Sequence, residues 1–532
     1  MKAPKTEFDE GWQEQFDRYG PSYRWLVTIA GTCGTVAMVL SSTIVNVVIP
    51  SVMGAYGVEQ GQAQWIATGF IATMVASQLL NAWMIEALGI RTAYCLILLV
   101  FTVGAVICAA SPTLEILIVG RIMQGFAAGV IMPLVMSTIV SIFPESRRGF
   151  AIGLYAMGTT IAPGIGPFIG GLTIDFLTWR HIFLVPLPIV GFAFVMGIFL
   201  MPGRKFTFRM PSFDWTGYSL IITSLLCITL GIGNGQRWGW GSNEIAITFA
   251  IGIVTTGMFI YSQLHSKNPI LDPTLFLNPR FTAAVLIAFA FGAGNFATNY
   301  AIPVFTQTVQ GFTPTKAGLV LIPAGIALTV LIPIAGRLGD SIPNHYPILV
   351  GIVMFSTAMF IMSGSDANTT FWTVAALTVL SRSGLAFVNP NMARAAISAA
   401  PPDKLHRSIG TYNFIRQLGG AFGVNIIVVI METRTAFHSD QLTATQTAAN
   451  PTSREFLGKV EALLNQAGVP EAIQQPGALD YLGKVIHAQA FTKGFQDAFM
   501  IIAFTFICAL VPAWILGRKR ARRCRADQKT SK

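Results

Sequence analysis

The sequence predicts an all-α polytopic membrane protein with fourteen transmembrane helices, built as two six-helix pseudo-repeat halves plus an inserted central helix pair. Three observations carry that prediction. Of the 532 residues 53% are hydrophobic and only 11% charged, more apolar surface than one soluble core can bury. Runs of roughly 18 to 25 apolar residues, the length a helix needs to cross hydrocarbon, recur at about 25-49, 62-85, 93-110, 114-141, 148-172, 182-201, 216-234, 244-264, 282-306, 315-337, 346-364, 370-392, 409-431 and 497-516. The landmarks of the first six runs then return, in the same order, in the last six.

The N-terminal segment 1-24 lacks the basic stretch, short apolar core and small-residue cleavage site of a signal peptide, so the first span is itself expected to direct insertion. Phe8, Trp12, Phe16 and Tyr19 recur at helical spacing there, but the interleaved acids Glu7, Asp9, Glu10, Glu14 and Asp17 would be repelled by anionic lipid. Packing on the protein's own loops is the reading. The N-terminal half covers 25-201. After its second span comes AWMIEALGIRTAY, and after the tenth span comes AGRLGDSIPNHY: a small residue (Ala82, Gly336), then an acid (Glu86, Asp340), then a turn. PESRRGFAIGLYAMG before the fifth span parallels PPDKLHRSIGTYNFIRQLGG before the thirteenth, and Arg121 in the fourth span has its counterpart in Arg382 in the twelfth. The pair at 216-264 has no counterpart. The C-terminal half covers 282-516 and includes an outer loop at 432-496, followed by a basic tail at 517-532.

That outer loop reads as a helical hairpin. Thr452 to Glu455 fits a capping box, Phe456, Leu457, Val460, Leu463 and Leu464 recur at helical spacing, and Gly468 and Pro470 supply a stop. A second helix is expected from near Ala478, carrying Leu482, Val485, Ile486 and Phe491 toward the last span. The hairpin either caps its own bundle or docks a partner.

Charge fixes the expected orientation. The tail and the loops carrying Arg91, Arg147, Arg148, Arg204, Lys205, Arg209, Lys267, Arg280, Lys404 and Arg407 fall on one face, whereas the opposite loops hold little beyond Arg180, Arg237 and Lys316. By the positive-inside rule both termini are cytoplasmic. The net charge of +11 follows from this topology and does not call for a nucleic-acid partner. The cysteines show no metal-ligand spacing, so neither disulfide, metal nor cofactor is expected.

Arg121 lies inside the apolar run LIVGRIMQGFAAGVIMPL beside Gln124 and Gly125. A guanidinium in hydrocarbon costs about 2.5 to 3.5 kcal/mol even on the lenient insertion scale, so it persists where it faces protein, a cavity or a ligand. It is the first candidate for a transport pathway. In the fifth span, APGIGPFIGG places Gly166, Pro167, Gly170 and Gly171 where small residues let helices approach closely and prolines bend the axis. Arg382 and Arg416 also lie within helices, while no carboxylate sits well inside any apolar run; Glu86, Glu115, Asp175 and Asp340 sit at ends. Further cavity candidates are Ser41, Asn46, Asn295, Asn299, Asn389 and Asn391, with Phe and Met walls. Arginines without buried acids favour amphiphilic weak acids or neutral compounds over lipophilic cations.

Taken together, LxxGRxxQG, the GPxxGG run, GRLGD, WRHIF at Trp179 to Phe183, LSSTIVNVVIP at Leu40 to Pro50 and NFIRQLGGAFGV at Asn413 to Val424 resemble the major facilitator superfamily, and within it the fourteen-helix drug:proton antiporter family. The resemblance covers essentially the whole chain. It implies a rocker-switch exporter with proton coupling through the fourth span at Arg121, Gln124 and Gly125, an antiporter helix at Gly166 to Gly171, and conformational latches at Glu86, Gly89 and Arg91 and at Gly336 and Asp340. The long outer loop resembles that of inner-membrane exporters working with a periplasmic adaptor and an outer-membrane channel. The chain departs from the family at Ser41, where aspartate is usual, and in the first latch, where Ala82, Glu86, Ala87 and Ile90 replace the usual residues. The expectation is an inner-membrane, proton-coupled exporter of amphiphilic small molecules, not an enzyme. A facilitator for one metabolite, siderophore or fatty acid, and a receptor or scaffold without turnover, are the alternatives. No GxxxxGK[ST] motif is present to support ATP-driven transport.

Overall fold

The computed structural model describes residues 15–143, 145–203, 212–266, 269–399, 405–447 and 449–517. Phe8 and Trp12, the basic tail and the loop cations Arg204, Lys205, Arg209, Lys267 and Lys404 lie outside the described residues. Helices account for nearly all regular structure and no strand occurs among the described residues. Twelve helices are long and apolar enough to cross a membrane, and the bent pair Gln60–Gln78 and Asn81–Leu88 makes a thirteenth. The helix Glu145–Phe176, whose side chains are described only in part, sits between the fourth and sixth spans, so the layout is compatible with fourteen.

The repeat expected from the order of landmarks is visible in the packing. In the N-terminal half the first span (Tyr23–Ile44) packs on the fourth (Leu114–Ile142), fifth and sixth (Leu187–Leu200), and the fourth on the bent second span and the third (Ile90–Ala110). In the C-terminal half the ninth (Pro279–Thr308) packs on the twelfth (Phe371–Ala399), the thirteenth (Leu405–Thr445) and the final helix (Glu471–Cys508). The twelfth in turn packs on the tenth (Pro314–Ser341) and eleventh (His345–Met362). The two lists correspond helix for helix. Each half also offers its fifth helix to the second helix of the other: the fifth span lies along the tenth, and the thirteenth along the second. The central pair, Trp215–Trp238 and Asn243–His265, packs mainly on itself and touches the second and thirteenth spans from the side.

Three local outcomes differ from the sequence expectation. The second span is not one rod. It bends by 59° at Leu79–Leu80, where Ser77 turns its hydroxyl back onto the Met74 carbonyl at 3.3 Å and so competes with the helical ladder. The outer loop is shorter than its 432-496 span suggests, because the thirteenth helix runs on to Thr445 and the final helix starts at Glu471 and continues to Cys508. No Gly or Pro interrupts 432–445, and Pro476, in the second turn of the final helix, removes only one backbone bond. The hairpin helix Pro451–Gln466 is capped by Asn450, whose side chain accepts from the Thr452 amide at 3.0 Å, not by the expected Thr452–Glu455 box. Pro451 at the first helical position supplies the matching backbone geometry.

Two ends of the bundle are distinguished by what they carry. The near end bears the N-terminal segment and both latch loops. The far end bears the hairpin and the contacts between halves. There Asn46 Nδ2 donates to the Asn299 carbonyl at 3.1 Å, Thr68 Oγ1 to Asn425 Oδ1 at 3.3 Å, and the Thr315 amide to Asp175 Oδ2 at 3.2 Å. Gly171 is pressed on the Pro314–Thr315 backbone and Gly318 on Pro167–Phe168, both closer than a Cβ allows.

Candidate functional site

Arg121 is completely buried, and its guanidinium is met from three helices. Nε donates to the Ile66 carbonyl at 3.1 Å, and Nη1 donates to Gln124 Oε1 at 2.8 Å and to Ser41 Oγ at 3.2 Å. The ring of Phe70 lies 4.2 Å from the guanidinium carbon. Ile66 and Phe70 are one turn apart on the second span, so a single helix face supplies both carbonyl and ring. Gly125 is what admits that face. A Cβ there would run into the Phe70 backbone, just as one at Gly129 would run into Met74. The motif's Gln and Gly therefore have separate jobs: Gln124 holds the charge, and Gly125 sets the helix spacing.

Every acceptor that Arg121 has among the described residues is neutral. Ser41 presents a hydroxyl, and Nη2 has no acceptor among the described residues while remaining buried. Polar neutral groups and an aromatic face offset the desolvation of the cation without removing its charge.

Arg382 repeats this arrangement in the other half. It is 5% exposed, with Nη1 donating to Asn295 Oδ1 and Nη2 to Asn299 Oδ1, each at 2.8 Å. The donor sits on the fourth helix of its half and the acceptors on the first, as Arg121 and Ser41 do. The Asn299 backbone carbonyl takes the Asn46 side-chain amide from the first span. Ser41 and Asn46 lie five residues apart on one helix, whose regular winding ends in a 3₁₀ turn at Val45–Val47. One helix end thus touches both arginine clusters, one directly and one through Asn299.

The remaining candidates are placed elsewhere. Arg416 is partly buried and donates to Asn413 Oδ1 at 3.5 Å, while its own carbonyl is pressed against Gly292 of the ninth span. Asn389 is half-buried in the twelfth span, and Asn391 is fully buried, donating to the Ala335 and Phe387 carbonyls, a helix-to-helix bond. Gly166 packs against Thr43 and Gly170 against Ile44 of the first span, with Pro167 and Gly171 on the tenth. The antiporter-like run therefore touches both halves at once.

The latch residues lie at the near-end helix junctions. Gly89 joins the second and third spans with φ of 78°, a backbone state that suits glycine. Arg91 Nε donates to the Met201 carbonyl at 2.7 Å, bracing the end of the sixth span within its own half. Glu86 is exposed. Gly336 has open space around it, and its carbonyl accepts from Arg394 Nη2 at 3.2 Å. The side chain of Asp340 lies outside the described residues.

Hydropathy reading passed over two polar groups at the far end. Glu432 falls one residue beyond the apolar run 409-431, yet its carboxylate lies over Gly61 at the start of the second span. Asp497 receives Arg434 Nε at 2.5 Å and His438 Nε2 at 2.8 Å, tying the thirteenth helix's extension to the root of the last span. A spacing of four between Arg434 and His438 is the sequence signal that could have paired them.

The family model described as Major Facilitator Superfamily matches residues 31–424. The chain is 28% identical over 494 residues to the multidrug export protein EmrB of Haemophilus influenzae, covering 92% of this chain and 95% of that one. It is 26% identical over 495 residues to EmrB of Escherichia coli K12, covering 92% and 94%. To the lincomycin resistance protein LmrB of Listeria monocytogenes it is 26% identical over 423 residues, covering 77% and 88%. Among solved structures, the bacterial homolog of the human lysosomal transporter Spinster, inward-facing and unoccupied, superposes with a TM-score of 0.61 at 14% identity, covering 94% of this chain and 98% of that one. That likeness concerns the fold. This multi-pass chain belongs to the Major Facilitator Superfamily.

Proposed function

We propose that the protein exports amphiphilic small molecules across the inner membrane by alternating access, driven by proton entry. The observation that carries this reading is the pair of buried arginines, one per half, each held on its half's first helix by neutral partners, with the first span touching both clusters. A rigid-body rocking of the halves must change the Asn46–Asn299 contact, so movement and the charge environment of both clusters are coupled through one helix end.

The same chemistry supports the substrate class. Two buried cations whose acceptors among the described residues are all neutral favour weak acids and neutral polar amphiphiles over lipophilic cations. The similarity to multidrug export proteins supports export over uptake. The cationic loops of the sequence support cytoplasmic termini, with the far-end hairpin outside as the docking surface for a periplasmic adaptor leading to an outer-membrane channel in this reading. Within this reading Arg121, Gln124 and Gly125 belong to the proton-coupled cycle, and Ser41, Asn46, Asn295, Asn299, Arg382, Asn389 and Arg416 border the substrate path. Gly166, Pro167, Gly170 and Gly171 form the moving contact, and Glu86, Gly89, Arg91, Gly336 and Asp340 lie at the near-end latches.

Efflux from energised vesicles, with and without a collapsed proton gradient, tests the reading. Export that stops with the gradient supports it. Movement down a concentration gradient alone would instead identify a facilitator, and no movement of any amphiphile would identify a receptor or scaffold.

A further inference from the structure

Two donors of the Arg121 cluster are left over once its hydrogen bonds are assigned. Arg121 directs Nε to the Ile66 carbonyl and Nη1 to Gln124 Oε1 and Ser41 Oγ, while Nη2 has no acceptor among the described residues. Gln124 Nε2 has none either. Both side chains are 0% exposed, so bulk water does not reach these donors. The amide cannot turn to relieve the shortage. Its Oε1 is held by Arg121 Nη1 at 2.8 Å and faces the Cys108 thiol at 3.9 Å, and a flipped amide would aim its own N–H groups at a guanidinium.

We propose that Arg121 Nη2 and Gln124 Nε2 form a binding site for a monovalent anion, a carboxylate or a halide. As the place where an exported weak acid docks its carboxylate, the site rests on the export reading above; as an inorganic-anion site it stands without it. A buried cation surrounded by neutral acceptors keeps its charge uncompensated, and a buried donor without an acceptor forfeits the full worth of its hydrogen bond. One monovalent anion answers both. The two oxygens of a carboxylate can take one donor each, and a halide can take both. A lipophilic cation would add like charge, and a neutral head would leave the guanidinium uncompensated.

Arg382 is different. Its Nη1 and Nη2 are both engaged, by Asn295 and Asn299, so the repeat sets an arginine with a donor to spare against one whose terminal nitrogens are occupied. Because Arg121 is completely buried, an anion held there exchanges only when the helices around it move, which ties its binding and release to the transport cycle.

Equilibrium binding of radiolabelled chloride and of radiolabelled benzoate to the full chain, in nanodiscs of zwitterionic lipid with ionic strength held by potassium sulfate, tests the site without transport. Saturable binding of at least one of the two is expected. Gln124→Met, which removes Nε2, should weaken it by roughly tenfold, the worth of one hydrogen bond to a charged group. Gln124→Glu sets a carboxylate beside Arg121 and should abolish it. Arg434→Gln, at the far-end cation paired with Asp497, should leave it unchanged. Thermal unfolding gives a second reading, since an anion that binds the folded state raises the midpoint by mass action, in the parent and not in Gln124→Glu. Absence of saturable binding and of any midpoint shift in the parent overturns the proposal. So does undiminished binding in a folded Gln124→Glu or Gln124→Met variant, or an equal loss in Arg434→Gln, which would mean nonspecific attraction. Benzoate binding supports the site as the dock for a weak acid's head, and chloride binding alone supports it as an inorganic-anion site. If an anion binds there but no weak acid is exported, the site stands and the substrate reading fails.

Discussion

At the scale of the residue, Arg121 is a buried cation whose acceptors among the described residues are all neutral. Arg121 is held by a backbone carbonyl, a hydroxyl, an amide and a ring face, and only a planar fork can meet all of them. Arg121→Lys keeps the charge but offers a single ammonium in place of Nε and Nη1. Export is expected to fall by at least about tenfold, the equivalent of losing one or two hydrogen bonds, while abundance in the membrane holds. Wild-type efflux in that variant would remove Arg121 from the cycle. Ser41→Asp should move the site the other way, placing a carboxylate within reach of Nη1 and widening the substrate range toward lipophilic cations. Competition assays with a cationic and an anionic amphiphile check this, and an unchanged preference would count against the charge argument. The sequence made Arg121 and Gln124 legible because a charge inside an apolar run needs a reason. It could not reveal Ile66 or Phe70 as partners, since an apolar residue's carbonyl and ring leave no compositional trace.

At the scale of the element, glycines decide how closely helices meet. Gly125 and Gly336 belong to two motifs of equal standing in the sequence, yet a Cβ at Gly125 meets the Phe70 backbone and one at Gly336 meets open space. Gly125→Ala should destabilise by about 1 to 3 kcal/mol, as overpacking against an unyielding backbone does, and Gly336→Ala should stay within about 0.5 kcal/mol. Thermal unfolding in detergent separates them, and equal shifts would undo the packing argument. Gly170→Leu, driven into Ile44 of the first span, should block export even where the protein folds. The hairpin shows the converse limit of sequence reading. Its existence was legible from apolar spacing, but Leu463, expected on the packed face, is 64% exposed, while Phe456 stacks on Tyr481 at 6.1 Å. Periodicity gives a helix's apolar stripe and not the rotation at which two stripes meet. Along the solvent face, hydrogen bonding to Lys459 holds the Glu455 carboxyl below its ordinary range. Replacing residues 440 to 490 with a Gly/Ser linker should spare transport in reconstituted vesicles and abolish resistance in whole cells; resistance that survives would leave the hairpin as a cap.

At the scale of the whole molecule, the two halves explain more than any single site. The order of landmarks along the chain revealed the repeat, and the packing supplies its physical content: Arg121 on Ser41 matches Arg382 on Asn295 and Asn299. Ser41 to Asn46 then joins the two clusters. That junction was out of reach of the sequence, because Asn46 and Asn299 are separated by 253 residues and nothing along either helix marks them as neighbours. Glu432 was hidden for a related reason: hydropathy ends the thirteenth span one residue short of it, whereas the helix continues and carries the acid to the other half.

In the proposed cycle, proton entry and substrate exit share one moving assembly around the two arginines. Proteoliposomes with an imposed pH gradient and an internal pH-sensitive dye test it most directly, with an amphiphilic weak acid added while its own flux is recorded in parallel. Substrate is expected to discharge the gradient in proportion to the substrate moved, and both fluxes to fall together in Arg121→Lys. Substrate flux that continues with no gradient, or a gradient that substrate leaves untouched while transport proceeds, would contradict it.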